Sequence, residues 1–176
     1  MRKIIEFYHR HEIVRLMVGD GGVYKEPSLV TTILGSCVSV TFHCHAKKIG
    51  AIFHAVLPIM PDKEKTRPII NHFKYVDSSI HYIIHSLQER GIKHNQIEAK
   101  LFGGSHIFCD RSIRTGSSNI KTAYEVLAAY KIKIISSDIG GNRGRNLIFI
   151  SNTGEVFIRN HKANIFDSGQ KKNESD

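Results

Sequence analysis

The chain has 176 residues, of which 41% are hydrophobic and 23% are charged. This composition is typical of a soluble globular protein of one domain, and it excludes a disordered or fibrous chain. An excess of 25 Lys and Arg over 16 Asp and Glu gives a net charge of +9. The basic residues are spread along the chain without a motif that reads DNA or RNA, so we expect a basic surface and no nucleic-acid partner.

The sequence predicts neither a membrane segment nor a secretory signal. Its longest purely apolar stretches span a few residues, whereas a membrane helix needs about 20. The N-terminal MRKIIEFYHRHE carries a charge every few residues and lacks the apolar core of a signal peptide. We therefore expect a cytoplasmic protein without membrane insertion. One domain is expected over residues 1–166, and a polar, disordered tail over 167–176.

Four runs rich in β-branched and apolar residues predict strands in the first third of the chain. They are VRLMVG (14–19), LVTTIL (29–34), VSVTFH (38–43) and KIGAIFHAVLP (48–58). The DGG segment at 20–22 is typical of a turn, and Gly35-Ser36 breaks the second run from the third. Residues 58–70 hold three of the four prolines and predict an exposed, mobile loop.

Helical periodicity appears further along the chain. Apolar residues recur at three- and four-residue steps from Phe73 to Leu87, which predicts a helix ended by Gly91. A second helix is predicted to begin at Asn119 as its N-cap. Further strands are predicted at IEAKLF (97–102), at KIKIIS (131–136), and in a hairpin of LIFI and EVFIR joined by SNTG.

The spacing of these elements indicates the fold class. The early strands follow one another too closely for helical crossovers between parallel strands. We therefore expect an α/β fold, a layered sandwich of mixed, largely antiparallel β-sheet with two main helices.

The three cysteines, Cys37, Cys44 and Cys109, are too few and too scattered for a disulfide scaffold. The nearest approach to a metal cluster is His43-Cys44-His45. Adjacent strand residues point to opposite faces, so these side chains cannot converge on one ion without a turn. We expect neither a metal nor any other cofactor.

Cys37 ends the segment LGSC at the start of a strand. Alternation along VSVTF places it on the more polar face with Ser39, opposite Val38. Backbone N–H groups at the Gly35-Ser36 turn are suited to support an oxyanion. A thiol also needs a base or a positive field, and His54 in the apolar GAIFHAVLP is the histidine that a strand would hold rigidly. Taken alone, both residues favour a packing role, His54 as a core histidine with one hydrogen bond and Cys37 as a small buried hydrophobe.

Five ordered segments together resemble the CheD family of chemoreceptor glutamine deamidases. In chain order they are TTILGSCVSV, GAIFHAVLP, KYVDSSI, EAKLFGGSHIF and DIGGNRGR. The resemblance implies an α/β sandwich similar to bacterial deamidases of the cytotoxic necrotizing factor type. Ser118, where the family often has Arg, and Ser79, where small residues such as Ala are common, depart from the pattern.

The resemblance also implies a cysteine hydrolase with a Cys-His-Thr arrangement. Its nucleophile would be Cys37 and its histidine His54. Its threonine would be Thr31, which orients the imidazole, whereas alternation sends Thr32 to the opposite face. Taken alone, the two glycine pairs read as ordinary turns. In the family context, the pairs and the asparagine after the second are expected at the rim of the active-site cleft: Gly103, Gly104, Gly140, Gly141 and Asn142.

The activity implied by the resemblance is deamidation of glutamine side chains on the cytoplasmic helical domain of chemoreceptors. The reaction would pass through a thioester and yield glutamate. A CheC-like phosphatase is the implied binding partner. Two alternatives stay open: a receptor methylesterase that uses the same thiol, and a non-catalytic adaptor that binds the receptor or the phosphatase.

Overall fold

The structure is a computed structural model that describes residues 12–67, 71–106 and 110–161. These residues form nine strands, namely β1 (Glu12–Arg15), β2 (Gly21–Tyr24), β3 (Ser28–Leu34), β4 (Val38–Cys44), β5 (Ile49–Phe53), β6 (Glu98–Gly103), β7 (Lys133–Ile139), β8 (Arg145–Ile150) and β9 (Val156–Asn160). They also form three α-helices, namely α1 (Asp62–Lys65), α2 (Val76–Gln88) and α3 (Asp110–Ala129). No helix among them is long and apolar enough to cross a membrane.

The strands build two sheets, which we call sheet A and sheet B. Sheet A has the strand order β1-β3-β8-β9, and sheet B has the order β2-β5-β4-β6-β7. Within the described residues, β1 pairs with β3 and β6 with β7 in parallel, and the other pairings are antiparallel. The predicted α/β fold with a largely antiparallel sheet and two main helices is confirmed.

Strand β4 is central because both of its faces are covered. Val38, Val40 and Phe42 belong to the apolar core that sheet B forms with α2 and α3. A second core, which includes Leu34, Leu147 and Phe149, fills the space between the sheets. All seven residues of β4 are buried as a result. The predicted polar face of this strand therefore lies between two sheets and not in solvent.

Helix α2 matches its prediction, and Gly91 after it has the left-handed φ of +70°. Helix α3 does not match, because it begins at Asp110, nine residues before the predicted N-cap at Asn119. The Gly-Ser-rich sequence before Asn119 looks like a loop, but Gly116 lets the helix pack closely on the sheet. A Cβ atom on Gly116 would lie 2.7 Å from the Gly104 carbonyl oxygen.

Two other predictions near the N-terminus need correction. The strand predicted over 14–19 is the shorter β1, and the turn predicted at 20–22 overlaps strand β2. The two glycines of β2 pair with β5, and the Phe73 ring packs on Gly21 so closely that a Cβ there would lie 2.5 Å from Cδ1. Glycine thus serves close packing here. The predicted tail and part of the predicted loop 58–70 lie outside the described residues.

Candidate active site

The pairing of β4 with β5 brings Cys37 and His54 to the same face of sheet B. Thr41 pairs with Ile52, and the same register continues to a bridge between Val38 and Ala55. In this register Ser39 lies opposite His54, and Cys37 lies one same-face position further along β4. Diagonal neighbours of this kind are about 7–8 Å apart between Cα atoms, within reach of an imidazole. The pairing thus places both side chains on one face of sheet B, and their joint catalytic role stays a prediction.

The hydroxyl of Thr32 holds the imidazole of His54. Thr32 Oγ1 lies 2.8 Å from His54 Nδ1 and donates to the Leu16 carbonyl oxygen at 3.0 Å. Since the hydroxyl has one hydrogen and gives it to Leu16, it accepts the hydrogen of Nδ1. The proton of the neutral ring therefore lies on Nδ1, and Nε2 keeps its lone pair.

This contact corrects the prediction that Thr31 orients His54. Alternation along β3 does separate the two threonines, as expected. The face of Thr32 is the one that turns toward sheet B, where Val30 and Leu34 also enter the core between the sheets. Thr31 points to the other face and is half-buried. Sequence alone does not reveal which face of β3 meets the neighbouring sheet.

Burial sets the protonation of both groups. It lowers the pKa of His54 to about 4, although the Asp20 carboxylate and the Leu16 carbonyl oppose this shift. It also raises the pKa of the Cys37 thiol, against a smaller opposing effect of the Cys37 backbone. Both shifts disfavour charge. At neutral pH the site therefore contains a neutral thiol and a neutral imidazole, not a thiolate–imidazolium pair.

Ser39 is the closest cross-strand neighbour of His54. The flanking pair, Val38 and Ala55, exchanges two backbone hydrogen bonds of 3.0 and 2.9 Å. Ser39 and His54 therefore form a non-hydrogen-bonded pair, the type in which side chains lie closest. Ser39 Oγ and His54 Nε2 are both buried without a hydrogen-bond partner within the described parts of the chain. Nε2 is thus free to accept a proton.

The loop that carries Cys37 is held through its carbonyl groups. The Gly35 oxygen accepts from Ser105 N at 2.8 Å, and the Cys37 oxygen accepts from Gly104 N at 2.8 Å. The Ser36 oxygen accepts from Asn119 Nδ2 at 3.2 Å. All three carbonyls are therefore engaged on the side of β6 and α3. This leaves the N–H groups of Ser36 and Cys37 as candidates for the oxyanion support that the sequence predicts.

Asn119 joins the two halves of the site, a role that the sequence did not reveal. Its Nδ2 donates both to the Ser36 oxygen and to the Val56 oxygen at 3.1 Å. Val56 follows His54 by two residues and lies opposite Cys37 in the β4–β5 register. The fully buried amide thus ties the nucleophile loop to the segment that carries the histidine. No local sequence signal marks this role, because Asn119 is predicted there as the N-cap of the helix.

The glycines predicted at the cleft rim take two different places. Gly103 and Gly104 are buried behind the Cys37 loop, so the prediction of a rim position is wrong for them. At Gly103, where φ is +101°, a Cβ atom would lie 2.2 Å from the Cys37 carbonyl oxygen. Only glycine fits there. Gly141 and Asn142 are exposed and Gly140 is half-buried, and their rim position stays a prediction.

Arg145 organises the DIGGNRGR segment from inside. Its buried guanidinium donates to Asp138 Oδ1 at 2.9 and 2.7 Å and to the Gly140 oxygen at 2.8 Å. It also donates to the hydroxyl of Ser105, whose N–H holds the Cys37 loop. A buried charge is tolerated when it is paired and fully hydrogen-bonded in this way. The described residues contain no group of three His, Cys, Asp or Glu that could hold a metal ion.

The family model and the relatives of similar sequence agree on one family. The family model described as CheD chemotactic sensory transduction matches residues 57–160, more than half of the chain. A relative from Oleidesulfovibrio alaskensis, named "Probable chemoreceptor glutamine deamidase CheD", is 39% identical over 160 residues, which cover 86% of this chain and 74% of the relative. One from Geobacter sulfurreducens, whose name differs only by a final 2, is 40% identical over 148 residues, 83% and 88% of the two chains.

Among solved structures, a Neisseria meningitidis protein of the DUF152 family is similar with a TM-score of 0.46 and 10% identity. The match covers 85% of this chain and 79% of that protein.

Replacement of Asn119 by Leu tests whether its amide ties the Ser36 carbonyl to the Val56 carbonyl. The substitution keeps the size of the side chain but leaves the carbonyls of Ser36 and Val56 without their donor. We expect the free energy of unfolding to fall by roughly 2–3 kcal/mol, measured by urea denaturation. Asn95→Leu at an exposed position is the matched control and should change it by less than about 0.5 kcal/mol. Equal losses of stability for the two substitutions would contradict this role of the Asn119 amide.

The reactivity of Cys37 tests the neutral pair. In a chain with Cys44→Ala and Cys109→Ala, alkylation by iodoacetamide reports Cys37 alone. Because burial raises its pKa, the rate should be low at pH 7 and rise with a midpoint above the range of a free cysteine. Cys37→Ala provides the blank. A plateau of fast alkylation below pH 7 would instead indicate a preformed thiolate.

Proposed function

This chain belongs to the CheD family, and we propose that it hydrolyses the side-chain amide of glutamine residues on chemoreceptors. The products are a glutamate side chain and ammonia. The single observation that carries the proposal is the placement of Cys37 and His54 on one face of sheet B, with Thr32 at His54 Nδ1 and no hydrogen-bond partner for Nε2 among the described residues. A nucleophile beside a base that a third group orients is the arrangement that amide hydrolysis needs.

The first half of the reaction forms a thioester. As the Cys37 sulfur attacks the carboxamide carbon, His54 Nε2 takes the thiol proton. A concerted transfer suits this site because both groups begin neutral. The N–H groups of Ser36 and Cys37 stabilise the oxyanion of the tetrahedral intermediate. The imidazolium then returns its proton to the amide nitrogen, the carbon–nitrogen bond breaks, and ammonia leaves.

The second half consumes water. His54 removes a proton from a water molecule, whose oxygen attacks the thioester carbon. Collapse of the second tetrahedral intermediate breaks the carbon–sulfur bond. The Cys37 thiolate leaves and recovers the proton from His54. One amide and one water thus become one carboxylic acid and one ammonia, and the enzyme returns to its neutral resting state.

Thr32, and not Thr31, orients the histidine in this mechanism. The Thr32 hydroxyl is fixed by Leu16 and so presents an acceptor to Nδ1. When His54 becomes an imidazolium, the same contact holds the charged ring in place. This is the role that the third member of a catalytic triad fills.

Two further expectations from the family resemblance stay predictions. One is a cytoplasmic location, where the receptor's helical domain is accessible. The other is a CheC-like phosphatase as binding partner. Pull-down of such a phosphatase with this chain as bait tests the second directly.

Mass spectrometry of a chemoreceptor cytoplasmic domain tests the activity. After incubation with the enzyme, specific glutamines should gain about one dalton through hydrolysis of the amide. Cys37→Ala should abolish the gain, and His54→Ala should slow it by about 10²- to 10⁴-fold. An unmodified receptor would reject deamidation. A loss of about fourteen daltons at methylated glutamates would indicate an esterase, and binding without any mass change would indicate an adaptor.

The two threonines provide a matched pair for the orienting role. Thr32→Val removes the acceptor for Nδ1, so kcat should fall at least roughly tenfold with little change in KM. Thr31→Val changes the same atoms one residue away and should leave kcat within about twofold. Steady-state deamidation of the receptor domain gives both constants. A larger loss for Thr31→Val would restore the assignment that the family resemblance implies.

A further inference from the structure

An apolar groove opens beside the candidate catalytic histidine. Its volume is about 520 Å³, and His54 and Thr32 form part of its wall. The rest of the wall comes from Arg15 at the end of β1, from the segment that follows it, from β3 and from β8. His54 is the member of the candidate catalytic pair that lines this groove.

Large apolar side chains are unusually exposed at this groove. Met17 is 70% exposed, Ile33 is 68% exposed and Val18 is 52% exposed. They are three of the four large apolar side chains that are more than half exposed within the described residues. Single exposed apolar residues are common, whereas a cluster beside a reactive site marks a surface that contacts another molecule.

The wall of the groove carries an exposed cation. Arg15 is exposed at its wall, and none of the described residues that line it is Asp or Glu. The Asp20 carboxylate lies nearby and accepts the N–H of Met17 at 2.8 Å, and its negative charge acts on His54. His54 is neutral above a pKa of about 4. The groove therefore offers an apolar contact with the exposed cation Arg15 at its wall, which complements an apolar side chain next to an acidic one.

We propose that this groove docks the protein substrate through an apolar side chain of the receptor segment that carries the target glutamine, with Arg15 meeting an acidic residue beside it. This inference rests on the proposed function, because a protein substrate explains an apolar docking surface that extends beyond the reacting amide. Met17 and Ile33 would then determine how tightly the substrate binds. They would not take part in the chemistry.

Kinetics of variants on the receptor domain test the docking. Ile33→Ser and Met17→Ser should each raise KM roughly tenfold with kcat unchanged, because each removes an apolar contact made in both ground and transition states. Ile135→Ser, at an exposed position on β7, is the matched control and should leave both constants unchanged. Arg15→Gln should raise KM less at high salt than at low salt. Alkylation of Cys37 by iodoacetamide should proceed at the wild-type rate in every variant.

The outcomes separate this inference from the proposed function. If the wild-type enzyme deamidates the receptor but Ile33→Ser and Met17→Ser leave KM unchanged, or lower kcat instead, the docking groove is wrong and the function stands. If the wild-type enzyme shows no deamidation, binding of the receptor domain to the Cys37→Ala chain decides. A dissociation constant weakened by Ile33→Ser but not by Ile135→Ser supports docking. The docking groove is overturned if Ile33→Ser and Ile135→Ser bind the receptor domain equally, or if the receptor domain does not bind at all. It is also overturned if Ile33→Ser weakens binding only to a phosphatase partner.

Discussion

The antiparallel register between β4 and β5 is the constraint on which the site depends. It places His54 opposite Ser39 and one diagonal step from Cys37, so the shift of one strand by a single residue would move the histidine to the helix-facing side. Two features hold this register at the reactive end. One is the bridge between Val38 and Ala55, and the other is the Asn119 amide that spans Ser36 and Val56. The fold thus fixes the pair with one backbone bridge and one buried side-chain amide, both of which act on main-chain groups beside the reactive residues.

The location between two sheets explains the chemistry of the resting pair. A dry environment penalises the imidazolium and the thiolate alike, so the pKa of His54 falls while that of Cys37 rises. Separation of charge then becomes favourable only when a substrate carbonyl accepts the negative charge at the backbone N–H groups. A thiol that stays neutral until then is also less prone to oxidation and to unwanted alkylation. Burial therefore lowers the ground-state reactivity of the cysteine and makes its activation depend on the substrate.

Sequence patterns predicted those parts of the fold that local periodicity determines. The runs that became β3, β4 and β5, the amphipathic face of α2, and the shared face of Cys37 with Ser39 all follow from alternation or from helical spacing. The choice between Thr31 and Thr32 does not, because alternation separates two faces without telling which one meets another sheet. That information lies in the packing of sheet A on sheet B, which joins residues distant in the chain.

The parts that sequence reasoning missed share a physical cause. The start of α3, the strand β2 and the loop behind Cys37 are rich in Gly, Ser and Asn, residues that locally favour turns. Here the small residues serve close approach: Gly116 lets α3 reach Gly104, and Gly103 lets β6 reach the Cys37 carbonyl. Polar side chains then satisfy the carbonyls that this approach buries, as Asn119 does for Ser36. A reactive loop that presents its N–H groups to a substrate needs hydrogen-bond donors for its carbonyl groups on the opposite side. Small and polar residues meet this need, which is why residues typical of turns occur here in buried helices and strands.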